Sequence, residues 1–226
     1  MDGLTWQIFD CMGTVAFAVS GAVVGIEKRM DIFGILVLAL LTAVGGGIVR
    51  DVLAGITPPT ALCHVTDFML SLVTAVLVSA LYALLPLSRR RRHFLLQVYN
   101  VCDTVGLASF TVTGMLTGWA AQAANPYLFP VLLGVITAVG GGVLRDLLAQ
   151  RMPAVLYKDI YATASLVGAL AACLLGPTAS AGGRAWVCFV IVIFLRWGAL
   201  QFGWHLYHPR PERFFWRAAR RQAPRR

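Results

Sequence analysis

Apolar residues run through this chain in long blocks, and charges punctuate the blocks. Cys11 to Ile26 follows Asp10, and Ile32 to Val49 lies between Asp31 and Arg50. Phe68 to Ser88 lies between Asp67 and Arg89, and Ile160 to Gly183 between Asp159 and Arg184. The charge-free stretch from Thr104 to Leu144 is too long for one helix. It is broken near Asn125-Pro126 and Pro130, where a turn is expected. A last apolar run, about Ala185 to Leu206, contains Arg196. A membrane-spanning helix needs about 20 mostly apolar residues at ~1.5 Å each. The pattern therefore predicts an all-α membrane protein of seven spans, at 6–26, 33–49, 66–86, 94–118, 127–148, 157–175 and 185–206.

The chain also contains itself twice. Residues 42–54 (TAVGGGIVRDVLA) match residues 137–149 (TAVGGGVLRDLLA) at ten of thirteen positions, an offset of 95. The first spans of each half match more weakly at an offset of 93: Asp10 with Asp103, Gly13 with Gly106, Phe17 with Phe110, Ser20 with Thr113, Gly21 with Gly114 and Gly25 with Gly118. Each copy holds three spans, and an odd number of crossings turns the second copy upside down. The expected architecture is a 3+3 inverted repeat plus one, with repeats at 1–88 and 94–176, a seventh helix at 184–207 and an Arg-rich cytoplasmic tail at 208–226. Inverted repeats place a translocation path near the midplane, usually lined by interrupted helices.

Composition sharpens this picture. Hydrophobic residues make up 58% of the 226 residues and charged ones only 13%, with mean hydropathy +0.75. Soluble domains carry roughly 25% charged residues, so a soluble globule is excluded, and so is disorder. The net charge is +9, and much of it lies in Arg89–Arg92 and in the seven Arg of residues 210–226. Lys28, Arg29, Arg151 and Lys158 follow odd-numbered spans as well, which puts the N-terminus outside and the C-terminus in the cytoplasm. Arg50 is the exception, unless it lies within the protein. The tail is read as an orientation signal touching anionic lipid, not as a nucleic-acid patch. The start Met-Asp-Gly lacks the basic region of a signal peptide. The five Cys have neither disulfide nor zinc spacing and read as small helix hydrophobes.

Candidate chemistry is concentrated in the repeated motif. Gly45-Gly46-Gly47 and Gly140-Gly141-Gly142 each cost helix propensity, about 1 kcal/mol per Gly, so helices two and five are expected to be broken there. Freed backbone groups would have to face water or protein, which makes the triplets pore-lining candidates. Close helix packing is the alternative. Arg50-Asp51 and Arg145-Asp146 follow within a turn, and charges at that depth mark function. Adjacent helix positions point apart, so the pairs expected are Arg50 with Asp146 or Arg145 with Asp51. Asp10 and Asp103 either cap their helices or attract cations at a pore mouth. Ser20 and Thr113 line a path or bond back to their own helices. Gly21-x-x-x-Gly25 and Gly114-x-x-x-Gly118 read as helix contacts. Lys158 and Asp159 are possible vestibule charges, flanked by Tyr157 and Tyr161 of an interface belt. Arg196 needs a carboxylate or carbonyl partner inside the protein. His205 and His208 fall short of a metal site. No catalytic set is present, and no cofactor is implied.

With these motifs in view, the chain resembles the prokaryotic members of the trimeric intracellular cation (TRIC) channel family, also catalogued as proposed glycine transporters. The residues that carry the resemblance are Phe9-Asp10-x-x-Gly13-x-x-x-Phe17-x-x-Ser20-Gly21, Asp103-x-x-Gly106-Leu107-x-x-Phe110, both Gly-Gly-Gly-x-x-Arg-Asp segments and Leu156-Tyr157-Lys158-Asp159-x-Tyr161-Ala162. It covers about residues 6–206. The resemblance implies a homotrimer with one pore per protomer, bent at the glycine motifs, and permeation by monovalent cations (potassium and sodium), chiefly potassium, with some voltage dependence. Short loops fit a bacterial inner membrane. A carrier for a small neutral amino acid such as glycine is the alternative reading of the same features.

Overall fold

The computed structural model describes residues 3–63, 65–84, 89–121, 125–158, 160–176 and 179–204, with residues 89–93 as backbone only. Asp159, His205, His208 and the Arg-rich tail lie outside the described residues. Among those described there are nine helices and no strand. They are α1 (Gly3–Glu27), α2 (Ile32–Leu53), α3 (Thr60–Cys63), α4 (Val65–Leu84), α5 (Arg89–Ala120), α6 (Leu128–Leu148), α7 (Ala154–Tyr157), α8 (Ala162–Leu174) and α9 (Ala181–Phe202). Helix is the expected outcome, because apolar segments in lipid must satisfy their own backbone hydrogen bonds. Five of the nine, α1, α2, α4, α6 and α9, are long and apolar enough to cross a membrane. Large apolar side chains such as Leu4, Phe33, Leu84 and Phe194 point outward, as they must against hydrocarbon. This is a multi-pass membrane protein.

Each predicted span overlaps a helix, with the bounds displaced by four residues at the end of α2 and at both ends of α9, and by more at the starts of α5 and α8. Helix α5 begins at Arg89 rather than 94, because Arg is a good helix former. Helix α8 has 13 residues and starts five after the predicted 157, because the chain from Pro153 first makes the short α7.

The glycine triplets depart further from expectation. Both lie inside uninterrupted helices, α2 and α6, so neither helix is broken there. What the triplets provide is close approach. A Cβ on Gly46 would overlap the Thr137 carbonyl oxygen, and one on Gly141 would overlap the Thr42 carbonyl oxygen. Helices α2 and α6 cross backbone to backbone at this point. The packing contact offsets the propensity that glycine gives up.

Helices α1 and α5 pack by an exchange of the same kind. The Phe110 ring fills the space beside Gly13, and the Phe17 ring fills the space beside Gly106. The two rings meet edge to face, with centroids 5.1 Å apart. The first glycines of both G-x-x-x-G motifs lie at helix contacts as expected, Gly21 against Ala39 of α2 and Gly114 against Gly134 of α6. Helices α8 and α9 pack together and cover α5 and α6.

The ends of α2 and α6 are matched too. After α2, Ile56 N–H donates to the Asp51 carbonyl (2.8 Å) and Gly55 has φ +74°. After α6, Arg151 N–H donates to the Asp146 carbonyl (2.9 Å) and Gln150 has φ +51°. A left-handed residue that closes a helix in this way folds the chain back over its last turn. In the second copy the fold-back delivers Arg151 onto Asp146, where the first copy carries the apolar Ile56.

Candidate functional site

Two buried ionic clusters form where the long helices converge. In the first, the Arg50 Nε donates to Asp51 Oδ1 at 2.8 Å and one terminal nitrogen lies 3.4 Å from Asp10 Oδ1. The guanidinium also reaches Thr113 Oγ1 and Thr60 Oγ1, each at 3.5 Å. Asp51 Oδ2 accepts from the Thr60 backbone N–H (2.8 Å) and hydroxyl (2.5 Å), and so fixes the start of α3. The indole of Trp6 covers the Arg50 guanidinium at 5.0 Å. Asp10, Thr14, Gly47, Arg50, Thr60 and Asp67 line one cleft here.

In the second cluster, the Arg145 Nε donates to Asp146 Oδ1 at 2.8 Å, and the guanidinium bonds Asp103 Oδ1 at 2.7 Å. It also donates to the Ser20 hydroxyl and, at 2.9 Å, to the Tyr99 hydroxyl. Asp146 Oδ2 accepts from the Ala154 backbone N–H at 2.8 Å and fixes the start of α7. Arg151 bonds Asp146 Oδ1 through two nitrogens, at 2.7 and 2.8 Å. Tyr161 OH donates to Asp103 Oδ1 at 3.3 Å. Arg196 donates to the Ile160 carbonyl at 3.1 Å and lies 3.8 Å from Asp103 Oδ2, which is the interior partner its position demanded.

The clusters are therefore built by matching residues: Arg50 with Arg145, Asp51 with Asp146, Asp10 with Asp103, Thr113 with Ser20, and Trp6 with Tyr99. All four Arg and Asp of the repeated motif are at most 2% exposed. Burial of that order rules out the snorkelling that an interfacial Arg would show.

Several expectations are corrected by this geometry. Arg50 does not pair with Asp146, nor Arg145 with Asp51. Each Arg folds back onto its own neighbouring Asp, because the flexible side chain overcomes the angle between adjacent helix positions. What crosses between the halves is a hydroxyl, Thr113 to Arg50 and Ser20 to Arg145. Asp10 and Asp103 are not caps, since both lie well inside α1 and α5. Tyr161 is 1% exposed and belongs to the second cluster, whereas Tyr157 is exposed. Within each triplet the roles divide. The middle glycine makes the crossing, while the third, Gly47 or Gly142, faces the guanidinium, with the Arg terminal nitrogen in ordinary contact range, 3.6 Å from where a Cβ would stand. Gly45 faces the Leu144 side chain and Gly140 faces Gly46.

Three kinds of participant do not emerge from the sequence reading. Trp6 and Tyr99 carry a detectable signal, since they stand at the same offset of 93 as the aspartates and are both aromatic. Arg151 reads in the sequence only as an orientation charge. Thr60 carries no signal, because its position depends on the turn after α2. Replacing Thr60 with Val leaves Asp51 Oδ2 one donor short in a buried site, an expected loss of roughly 1–3 kcal/mol. Thermal unfolding in detergent checks this against Thr60→Ser, which should melt like the parent.

Comparisons with known proteins place the chain among membrane proteins. A family model described as Glycine transporter matches residues 7–86 and 100–177. A UPF0126 membrane protein of Deinococcus radiodurans is 41% identical over 203 residues, 87% of each chain. The UPF0126 inner membrane protein YadS of Escherichia coli K12 is 36% identical over 202 residues, 88% of this chain and 93% of that one. Among solved structures, the TRIC trimeric intracellular cation channel orthologue from Rhodobacter sphaeroides aligns with a TM-score of 0.78 at 33% identity, covering 88% of this chain and 98% of that one.

Proposed function

The chain belongs to the TRIC cation-channel family, which its family model describes as Glycine transporter, and on that premise we propose that it forms a homotrimeric potassium-permeable channel with one path in each protomer. The observation that carries this reading is the pair of matched, buried Arg-Asp clusters on a fold shared with a cation channel. Charges are expensive within a membrane and are retained where they serve ions or protons. The path runs between the clusters past the α2–α6 crossing. Gly47, Arg50, Asp51, Asp10 and Thr113 stand at one end, and Gly142, Arg145, Asp146, Asp103, Ser20 and Lys158 at the other. Gly45, Gly46, Gly140 and Gly141 form the waist.

The protomer is read as a 3+3 inverted repeat over 1–88 and 94–176, with α9, which starts at Ala181 and closes at Gly203 rather than spanning the expected 184–207, as the appended seventh helix, and its halves meet through the exchanged hydroxyls. It lies in a bacterial inner membrane with its N-terminus outside and its C-terminus in the cytoplasm. Sodium shares the path with potassium, and membrane lipids surround the trimer.

Purified full-length protein in planar bilayers under a potassium gradient should give single-channel currents that reverse near the potassium equilibrium potential. Absence of current across a wide range of voltage would overturn the reading. The family model's description favours a second one, a carrier for glycine. Saturable uptake of radiolabelled glycine into proteoliposomes, without ionic current, would establish the carrier instead.

A further inference from the structure

The two halves of the repeat differ in how well their outer surfaces are covered. In the first half, Cys11, Val15 and Val19 of α1, Leu70 of α4, and Cys102 and Val105 of α5 line an apolar groove of about 680 Å³. The offset of 93 carries Cys11, Val15 and Val19 onto Thr104, Ala108 and Val112 of α5. Those three are at most 3% exposed, whereas Val15 is 37% exposed and Cys11 is exposed as well. The same offset relates Cys102, on the groove wall, to Phe9, which is buried.

Helix α9 makes the difference. It packs on α5 and α8. Its Trp186 and Phe189 enclose Phe9, with ring centroids at 5.3 and 5.2 Å. Its Cys188 and Val192 lie against Gly168 of α8. The first half has no such helix, because only residues 85–88 separate α4 from α5. One half of the fold thus shows what fits the surface that the other half leaves open, an apolar helix. Helices in lipid associate by this kind of close packing.

A second copy of the chain carries a suitable helix face. Trp186, Val190, Phe194 and Trp197 of α9 are each more than half exposed. Their spacing of four, four and three residues aligns them in one stripe. Both the groove and α9 border the α1–α5 pair. One copy can therefore offer its groove to a neighbour while its own α9 meets another, a head-to-tail contact of the kind that closes into a ring.

We propose that the α1–α4–α5 groove seats the outward stripe of α9 from a neighbouring copy of this chain. The inference rests on the homotrimer reading above and gives that trimer its contact surface.

Cross-linking of the full-length protein in membranes tests it. Helices α1 and α9 run in the same direction, since Gly182 faces Thr5 and Trp186 meets Phe9. Val190 therefore stands within a turn of the level of Cys11. Under mild oxidation, Val190→Cys should yield disulfide-linked dimers and trimers beyond those of the parent, and adding Cys11→Ala should remove them. Val15→Trp fills the groove from its open side. It should turn a purified trimer into a monomer by light scattering while its melting temperature stays that of the parent. A Val190→Cys chain that cross-links no more than a trimeric parent, or a Val15→Trp variant that stays trimeric, would overturn the proposal and leave the trimer reading standing, with lipid alone in the groove. A Val15→Trp variant that loses its folded state would make the groove part of the protomer's own core and overturn the proposal too. A monomeric parent would overturn the trimer reading and this inference together.

Discussion

Replacing Arg145 with Ala is expected to destabilise the folded protein by about 3–5 kcal/mol, the cost of removing one partner from a buried ion pair. The guanidinium bonds Asp103 and Asp146 and both hydroxyls, Ser20 and Tyr99, while its side chain is fully buried. Truncation strands a carboxylate on α5 and weakens the hold on another on α6. Arg151 still neutralises Asp146, and Tyr161 still donates to Asp103, so the loss falls at the lower end of that range. Arg145→Lys retains the charge but lacks the planar fork that serves several acceptors at once, and it should recover only part of the stability. Arg50→Ala should be the milder truncation. Arg50 lies 3.4 Å from Asp10, and Thr60 already gives Asp51 two donors. Thermal unfolding in detergent, followed by size-exclusion fluorescence, ranks the variants. A melting temperature unchanged in Arg145→Ala would overturn the account of the second cluster as an ionic keystone.

A second large effect is expected where α2 and α6 cross. Gly46→Ala and Gly141→Ala each place a methyl group against a backbone carbonyl oxygen, that of Thr137 or Thr42. Neither oxygen can move without moving its helix. Overpacking of this kind costs typically 1–3 kcal/mol, and the rigidity of the two backbones places both variants at or above the top of that range. Gly47→Ala is the internal control. Its Cβ would meet nothing closer than the Arg50 guanidinium at 3.6 Å, and Ala gains about 1 kcal/mol of helix propensity over Gly. Adjacent glycines should thus respond in opposite directions. Equal losses at Gly46 and Gly47 would mean that the triplet serves flexibility rather than contact.

These two sites also mark how far the sequence can be read. Spans are legible because lipid demands long apolar helices, and a charge such as Asp31 or Arg89 closes each run. The repeat exposes the Arg-Asp motif, both first-helix aspartates and the Ser20–Thr113 pair, and all of them meet in the clusters. The glycine triplets read as breaks because propensity argues against three glycines in a helix. Packing outweighs that local preference, since the benefit of backbone contact depends on a partner 95 residues away. Asp10 reads equally as a cap or as a pore-mouth charge for a related reason. A carboxylate inside a helix is unfavourable until a guanidinium is known to face it.

Sequence by itself determined the membrane class, the helices and the duplicated chemistry, because hydrophobic run length and a fixed offset between motifs are one-dimensional properties. Tertiary structure decided which partners those charges take. Arg50 chose Asp51 and the Thr113 hydroxyl, and Arg145 chose Asp103, Asp146 and Ser20. Arg151 and Lys158 joined only one of two otherwise matching clusters. Each of these outcomes depends on the distance between groups far apart in the chain, and in a low-dielectric interior ångström-scale differences in that distance separate a strong pair from an uncompensated charge.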